Sequence, residues 1–213
     1  MPKFKLVIQT LAALSLGAHA ATLPAAGDPE RGKQTAQVCL ACHGPDGAGM
    51  SAANYPRLDI LDAGYMAKQL RDIKAGTRQA PIMQPFAATL TDQQIEDVSA
   101  YYASQSATVP QPPEADPELM ALGRKLVYRG DWDRYIPSCN SCHGPESRGV
   151  GSEFPALAGQ HASYIESQLR AWKDGTRHND PLDLMLAIAE RMTDEDLIID
   201  DDGCDDTQRI ADQ

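Results

Sequence analysis

The stretch Cys39-Leu40-Ala41-Cys42-His43-Gly44-Pro45 returns one hundred residues later as Cys139-Asn140-Ser141-Cys142-His143-Gly144-Pro145. Two thiols separated by two residues can each form a thioether to a vinyl group of the same porphyrin. The adjacent histidine then lies below the ring and gives the iron its fifth ligand. The motif therefore assigns a covalently attached haem c to each copy, one through Cys39 and Cys42, the other through Cys139 and Cys142. His43 and His143 become the matching iron ligands. Two other uses of paired cysteines fit less well. A thioredoxin-like redox pair sits in a βαβ pattern, which the flanking sequence lacks. Structural zinc sites rarely divide their cysteine pairs between duplicated domains.

The motif is one rung of a longer repeat. Pro56-Arg57-Leu58 matches Pro155-Ala156-Leu157, and Tyr65, Gln69 and Leu70 match Tyr164, Gln168 and Leu169. Lys74 to Arg78 matches Lys173 to Arg177, and Thr91-Asp92 matches Thr193-Asp194. The matches keep their order and need only small loop insertions. A period near one hundred is too long for a solenoid, so two tandem homologous domains are expected. The proline-rich stretch Ser104–Ala115 separates them. This places a first domain at 21–105, a linker at 106–115 and a second domain at 116–199.

The signals along the chain are helical. Asp28-Pro29-Glu30 and Asp116-Pro117-Glu118 read as helix starts. Tyr65–Ala75 and Tyr164–Asp174 keep helical spacing and run into Gly76 and Gly175. Thr91-Asp92-Gln93-Gln94 is a capping-box pattern, and behind it Ile95, Val98, Tyr101 and Tyr102 share a face. Gly32 and Gly123 would let the first helix of each domain cross the last one closely. No alternating strand pattern stands out. Three Phe, two Trp and seven Tyr are few for two cores, and a large cofactor would fill the deficit.

Residues 1–20 carry two lysines and no acid, an apolar stretch, and Ala18-His19-Ala20 at the end. This is the pattern of a secretory signal peptide cut after Ala20. Its twelve apolar-rich positions fall short of a membrane span. Nineteen basic residues stand against thirty acidic ones, for a net charge of −11. Loss of the two leader lysines takes it to −13. Such a surface argues against nucleic acid, whose phosphates need a basic face. The charge is uneven: −3 over Ala21–Ala115 and −10 from Asp116 onward.

The repeat also selects a sixth ligand for each iron. After the leader, His43 is the sole histidine of the first domain, leaving Met50, Met66 and Met83 as candidates. Met50 and Met66 correspond to Val150 and Ile165. Met83 lies eight residues before Thr91, as Met185 lies eight before Thr193. Met192 corresponds to Leu90 and reads as core, while His161 and His178 correspond to Asp62 and Gln79. Met83 and Met185 are therefore the expected ligands, and thioether ligation raises a haem potential.

On these residues, the chain from about Asp28 to Asp196 resembles the cytochrome c4 family of periplasmic dihaem electron carriers. The resemblance implies an all-α fold of two tandem class I cytochrome c-like domains, each wrapped around one covalently bound haem. It implies His/Met coordination of both irons and a pseudo-twofold axis with the haem propionates facing one another. It further implies redox protein partners in a respiratory chain: a quinol-cytochrome c reductase as donor, and a terminal oxidase or reductase as acceptor. Peripheral membrane association is compatible with it. In class I cytochromes a loop proline carbonyl orients the axial histidine. Pro56 and Pro155 are the matching candidates, with plain turn prolines as the alternative. Arg78 and Arg177 are read either as propionate partners or as solvated helix-end residues.

The end of the chain departs from the repeat. Gly203 and Cys204 fall where Tyr101 and Tyr102 are expected, and from Asp194 onward nine acids face one arginine. Residues 200–213 read as an atypical acidic tail, either a docking segment or a sequence anomaly, and Cys204 as an unpartnered thiol. The sequence thus points to a dihaem carrier of single electrons, not an enzyme. The runner-up is a dihaem electron-transfer subunit of a flavin-dependent dehydrogenase such as sulfide dehydrogenase. A dihaem peroxidase would need a vacant or displaceable iron ligand, against which the paired methionines argue.

Overall fold

The computed structural model describes residues 26–106 and 117–199. The expected leader, nearly all of the expected linker, and the acidic tail with Cys204 lie outside the described residues. The described residues form helices, with isolated bridges but no strands. The first unit contains α1 (Pro29–Thr35), α2 (Leu40–His43), α3 (Ala63–Ala75), α4 (Gln84–Thr89) and α5 (Asp92–Ala103). The second contains α6 (Pro117–Arg129), α7 (Asn140–His143), α8 (Ala162–Lys173), α9 (Leu184–Ala189) and α10 (Asp194–Ile199).

The helix ends follow their local chemistry. The Asp28 carboxylate accepts the amides of Glu30 and Arg31 and starts α1. Asp62 caps α3 in the same way, and Gly76 ends it in the left-handed conformation at φ 77°. Thr91 and Gln94 form the reciprocal capping box of α5. The second unit has a counterpart not anticipated from sequence: the Thr193 amide donates to Asp196 at 2.7 Å, and the Asp196 amide donates to Thr193 Oγ1 at 3.2 Å.

Helices α1 and α5 cross at Gly32, as its position predicted. A Cβ there would lie 1.9 Å from the Asp97 carbonyl oxygen and 2.8 Å from Tyr101 Cβ. Only a glycine permits that approach. Next to it, the first core gathers Ala36, Met66, Val98, Tyr101 and Tyr102. The two tyrosines also tie the core to the cysteine motif. Tyr101 donates to the Pro45 carbonyl at 2.7 Å and Tyr102 to the Gly44 carbonyl at 3.3 Å.

The second unit closes differently. Its α10, described over Asp194–Ile199, packs on α6, where Gly123 is buried. The core combines Leu126, Ile136, Ile165, Leu169, Trp172, Ala189, Met192 and Leu197. Met192 is core, as expected. Trp172 adds aromatic bulk at the place where the first repeat has Ile73. The start of the acidic run is not a solvated tail. Asp196 is 2% exposed and pairs with Arg134. Three acids in the first turn of α10 also complement the helix dipole. Burial works to raise the Asp196 pKa, but Arg134 and Thr193 outweigh it and hold the carboxyl below its usual value.

The crossing of α1 and α5 carries its own electrostatic lock. Asp97 accepts the Arg31 guanidinium at 2.8 Å through each oxygen, and the Asp28 amide at 2.9 Å. Arg31 chiefly, then the Asp28 amide and Gln93, hold the Asp97 carboxyl down at about 2 despite its burial. A depressed carboxylate pKa stabilises the fold above the unfolded value near 3.9, and that contribution is lost as pH falls through about 2. With screening at the half-exposed Arg31, Asp97→Asn should cost the first unit about 1–2 kcal/mol at pH 7. It should also flatten the acid limb between pH 4 and 2, as measured by urea unfolding at several pH values.

Candidate haem sites

Each motif histidine sits at the C-terminal end of a one-turn helix, α2 or α7, that also carries the second cysteine. In each, the histidine amide closes the turn onto the carbonyl of the first cysteine at 2.9 Å. Both histidines are buried, at 5% and 7% exposure. His43 Nδ1 lies 3.1 Å from the Pro56 carbonyl and His143 Nδ1 lies 2.7 Å from the Pro155 carbonyl. A carbonyl can only accept, so Nδ1 carries the proton and Nε2 keeps its lone pair for a metal. Burial lowers both imidazole pKa values, against the proline carbonyls, which raise them, and so keeps the rings neutral. The orienting role expected of Pro56 and Pro155 is thus seen in both copies, and they are more than turn prolines.

In the second unit, Cys139, Cys142, His143 and Met185 line one cavity of about 540 Å³. Its other walls include Leu126, Ile165 and Leu169. The size and apolar lining fit a large flat prosthetic group, and the thiols and the free Nε2 supply its attachment points. Met185 is anchored from behind: its amide donates to Asp180 at 2.7 Å, and Asp180 accepts Trp172 Nε1 at 2.8 Å. Sequence reasoning missed Asp180, whose role depends on a loop folding back onto α8. In the first unit Met83 is half-buried at the start of α4, much as Met185 lies at the start of α9. Burial, with Cys42 beside it, pushes the Cys39 thiol up to about 11, so the unattached thiol stays neutral. Of the rejected ligand candidates, Met50 is exposed, Met66 is core, and His178 is exposed. His161 donates from Nε2 to the Ala48 carbonyl at 2.9 Å, a bond between the two units.

Tyr65 and Gln69 of the first unit also line the second cavity. They belong to a polar seam in which each arginine reaches into the opposite repeat. Arg78 donates to Tyr164 and Gln168 at 2.8 and 2.9 Å. Arg177 donates to Tyr65 and Gln69, both at 3.3 Å. The two arginines also pair through their backbones as an isolated antiparallel bridge. At 8% and 5% exposure they are not solvated helix-end residues, and that reading is corrected. Burying two cations requires many oxygen acceptors, which the paired tyrosines and glutamines supply. The repeat had marked those tyrosines and glutamines in the sequence, but not their use.

Comparison with known proteins agrees with this architecture. The cytochrome c family model matches residues 29–106. A cytochrome c4 of Pseudomonas aeruginosa is 39% identical over 195 residues, covering 91% of this chain and 94% of that protein. The chain belongs to the cytochrome c4 family. The crystal structure of reduced recombinant cytochrome c4 from Pseudomonas stutzeri superposes with a TM-score of 0.77 at 37% identity. It covers 84% of this chain and 98% of the solved one. A protein of Stutzerimonas stutzeri named thiosulfate dehydrogenase electron acceptor is 46% identical over 171 residues, covering 76% of this chain and 75% of that protein. The fold is thus the class I cytochrome c fold in tandem, and the cofactors are two covalently bound haem c groups at the motifs 39/42 and 139/142. Membership in this family makes the chain a dihaem electron carrier. No helix among the described residues is long and apolar enough to cross a membrane. The purified mature protein should hold two haems per chain, and acid-acetone extraction should leave the colour with the polypeptide. A ratio near one would mean that one motif is not used.

Proposed function

We propose that the chain, exported to the periplasm and cleaved after Ala20, carries single electrons from a dehydrogenase to a terminal oxidase. In this reading the first domain, 21–105, holds its iron between His43 and Met83. The second, 116–199, holds its iron between His143 and Met185. The observation that carries it is the second cavity, where both thiols, a tautomerically fixed histidine and a braced methionine converge. When bound, each haem supplies one-electron chemistry between ferric and ferrous iron. The protein does the rest. The proline carbonyls fix the ring planes of the histidines, Asp180 braces the Met185 loop, and the apolar walls exclude water. Met83 and Met185, one thioether for each iron, would favour the reduced state and would fill the position that a substrate needs. The donor is proposed to be a thiosulfate dehydrogenase, on the strength of the name carried by a relative at 46% identity. A quinol-cytochrome c reductase is the alternative donor.

Met83→Ala should open the first iron and Met185→Ala the second, each abolishing its ferric iron–sulfur charge-transfer band. Met192→Ala should leave both bands. The donor is tested by stopped-flow reduction of the oxidised dihaem protein. Thiosulfate dehydrogenase with thiosulfate should reduce it rapidly, and added salt should slow the association, because the chain from Asp116 onward carries a net charge of −10. Reduction by quinol-cytochrome c reductase alone would replace the proposed donor.

A further inference from the structure

The peptide unit joining Pro56 to Arg57 has a partner at each end. Its carbonyl oxygen accepts His43 Nδ1–H at 3.1 Å. Its amide N–H, on Arg57, donates across to Gln160 Oε1 in the second unit at 2.9 Å. Gln160 Nε2 donates back to the Arg57 carbonyl at 3.0 Å. One side-chain amide therefore grips both backbone groups of the residue that follows the proline. The gripped residue is buried. Arg57 has 0% exposure, and its guanidinium pairs with Asp59 at 2.7 Å. Beside this grip, His161 Nε2 donates to the Ala48 carbonyl at 2.9 Å, so the same edge of the interface is fastened twice.

The reciprocal grip is not built. In the repeat, Asp62 matches His161, so Leu61 takes the place of Gln160, and an aliphatic side chain can accept nothing from the Pro155–Ala156 peptide. Gln160 also lines the second cavity, but its two backbone hydrogen bonds to Arg57 lead only to the first site. Its physical effect follows from the peptide group. Donating the Arg57 N–H polarises the amide and puts more negative charge on the Pro56 oxygen, since hydrogen bonds in a chain strengthen one another. A better acceptor draws the Nδ1 proton further from the His43 ring and makes Nε2 a more basic ligand. A more basic axial ligand favours ferric over ferrous iron.

We propose that Gln160 is a positioning residue of the second domain that lowers the potential of the first haem, acting through the Arg57 amide, the Pro56 carbonyl and His43. The proposal rests on His43 as an iron ligand. It is tested by spectroelectrochemical titration of both haems in the mature dihaem protein. Gln160→Leu, which copies the other repeat, should raise the potential of the first haem by more than that of the second, whose cavity wall Gln160 also forms. Gln160→Glu keeps a stronger acceptor for the Arg57 amide and should move the first haem the opposite way. Amide exchange at Arg57 should quicken in the Leu variant. Equal shifts at both haems, or Leu and Glu moving the first haem in the same direction, would overturn the proposal. The ligand reading is tested separately by His43→Ala, which should abolish the low-spin spectrum of the first haem. If that spectrum survives, His43 is not the ligand. If it is lost in His43→Ala while Gln160→Leu keeps it with an unmoved potential, the grip alone is refuted.

Discussion

Each motif histidine gives its Nδ1 proton to a proline carbonyl twelve or thirteen residues further on, and much of the architecture serves that bond. The bond needs the one-turn helix to present the ring and the following loop to return the proline against it. Glycines make the return tight. At Gly49, with φ 67°, a Cβ would lie 2.4 Å from the Tyr55 carbonyl oxygen. At Gly149, with φ 86°, it would lie 2.7 Å from the Ala156 amide. No side chain fits at either place, so the loops owe their course to two backbones pressed together. The histidine backbone joins in, since the amides of Gly49 and Gly149 donate to the carbonyls of His43 and His143 at 3.0 and 2.7 Å.

Around that shared element the two units diverge. The first anchors its cysteine motif from behind with the hydroxyls of Tyr101 and Tyr102 and locks its terminal helices with Arg31 and Asp97. The second ties α10 down through Asp196 and Arg134 and draws bulk from Trp172 instead. The Trp172 ring also lies 3.9 Å beneath the Arg177 guanidinium, which connects the second core to the seam between the units. The cavity of the second unit is therefore not closed by its own residues alone, and its environment depends on how the first unit is seated.

The seam itself is symmetric in part. Arg78 and Arg177 exchange places across it in a near-reciprocal way, each held by a tyrosine and a glutamine of the other repeat. The edge near Arg57 is not symmetric, because Gln160 and Leu61 differ in what they can bond. Two copies of one ancestral unit thus meet through a contact in which a few substitutions give each cofactor a different surrounding.

Much of this was legible in the sequence because haem attachment is a local problem. Two thiols and an imidazole must lie within one turn, so Cys39 to His43 and Cys139 to His143 carry the assignment unaided. The repeat then aligned Pro56 with Pro155 and Met83 with Met185 by register, and the capping residues of α1, α3 and α5 were readable because a cap is set by three or four neighbouring residues. What the sequence could not supply was any contact between distant positions. The partners of Arg78 and Arg177, the brace of Asp180 on Met185, the burial of Asp196 within an acidic run, and the grip of Gln160 on Arg57 each join residues through folded loops. Charge and hydropathy describe such residues only as polar. Which of them is buried, and against what, depends on how the two units pack, and that packing is decided by the whole chain at once.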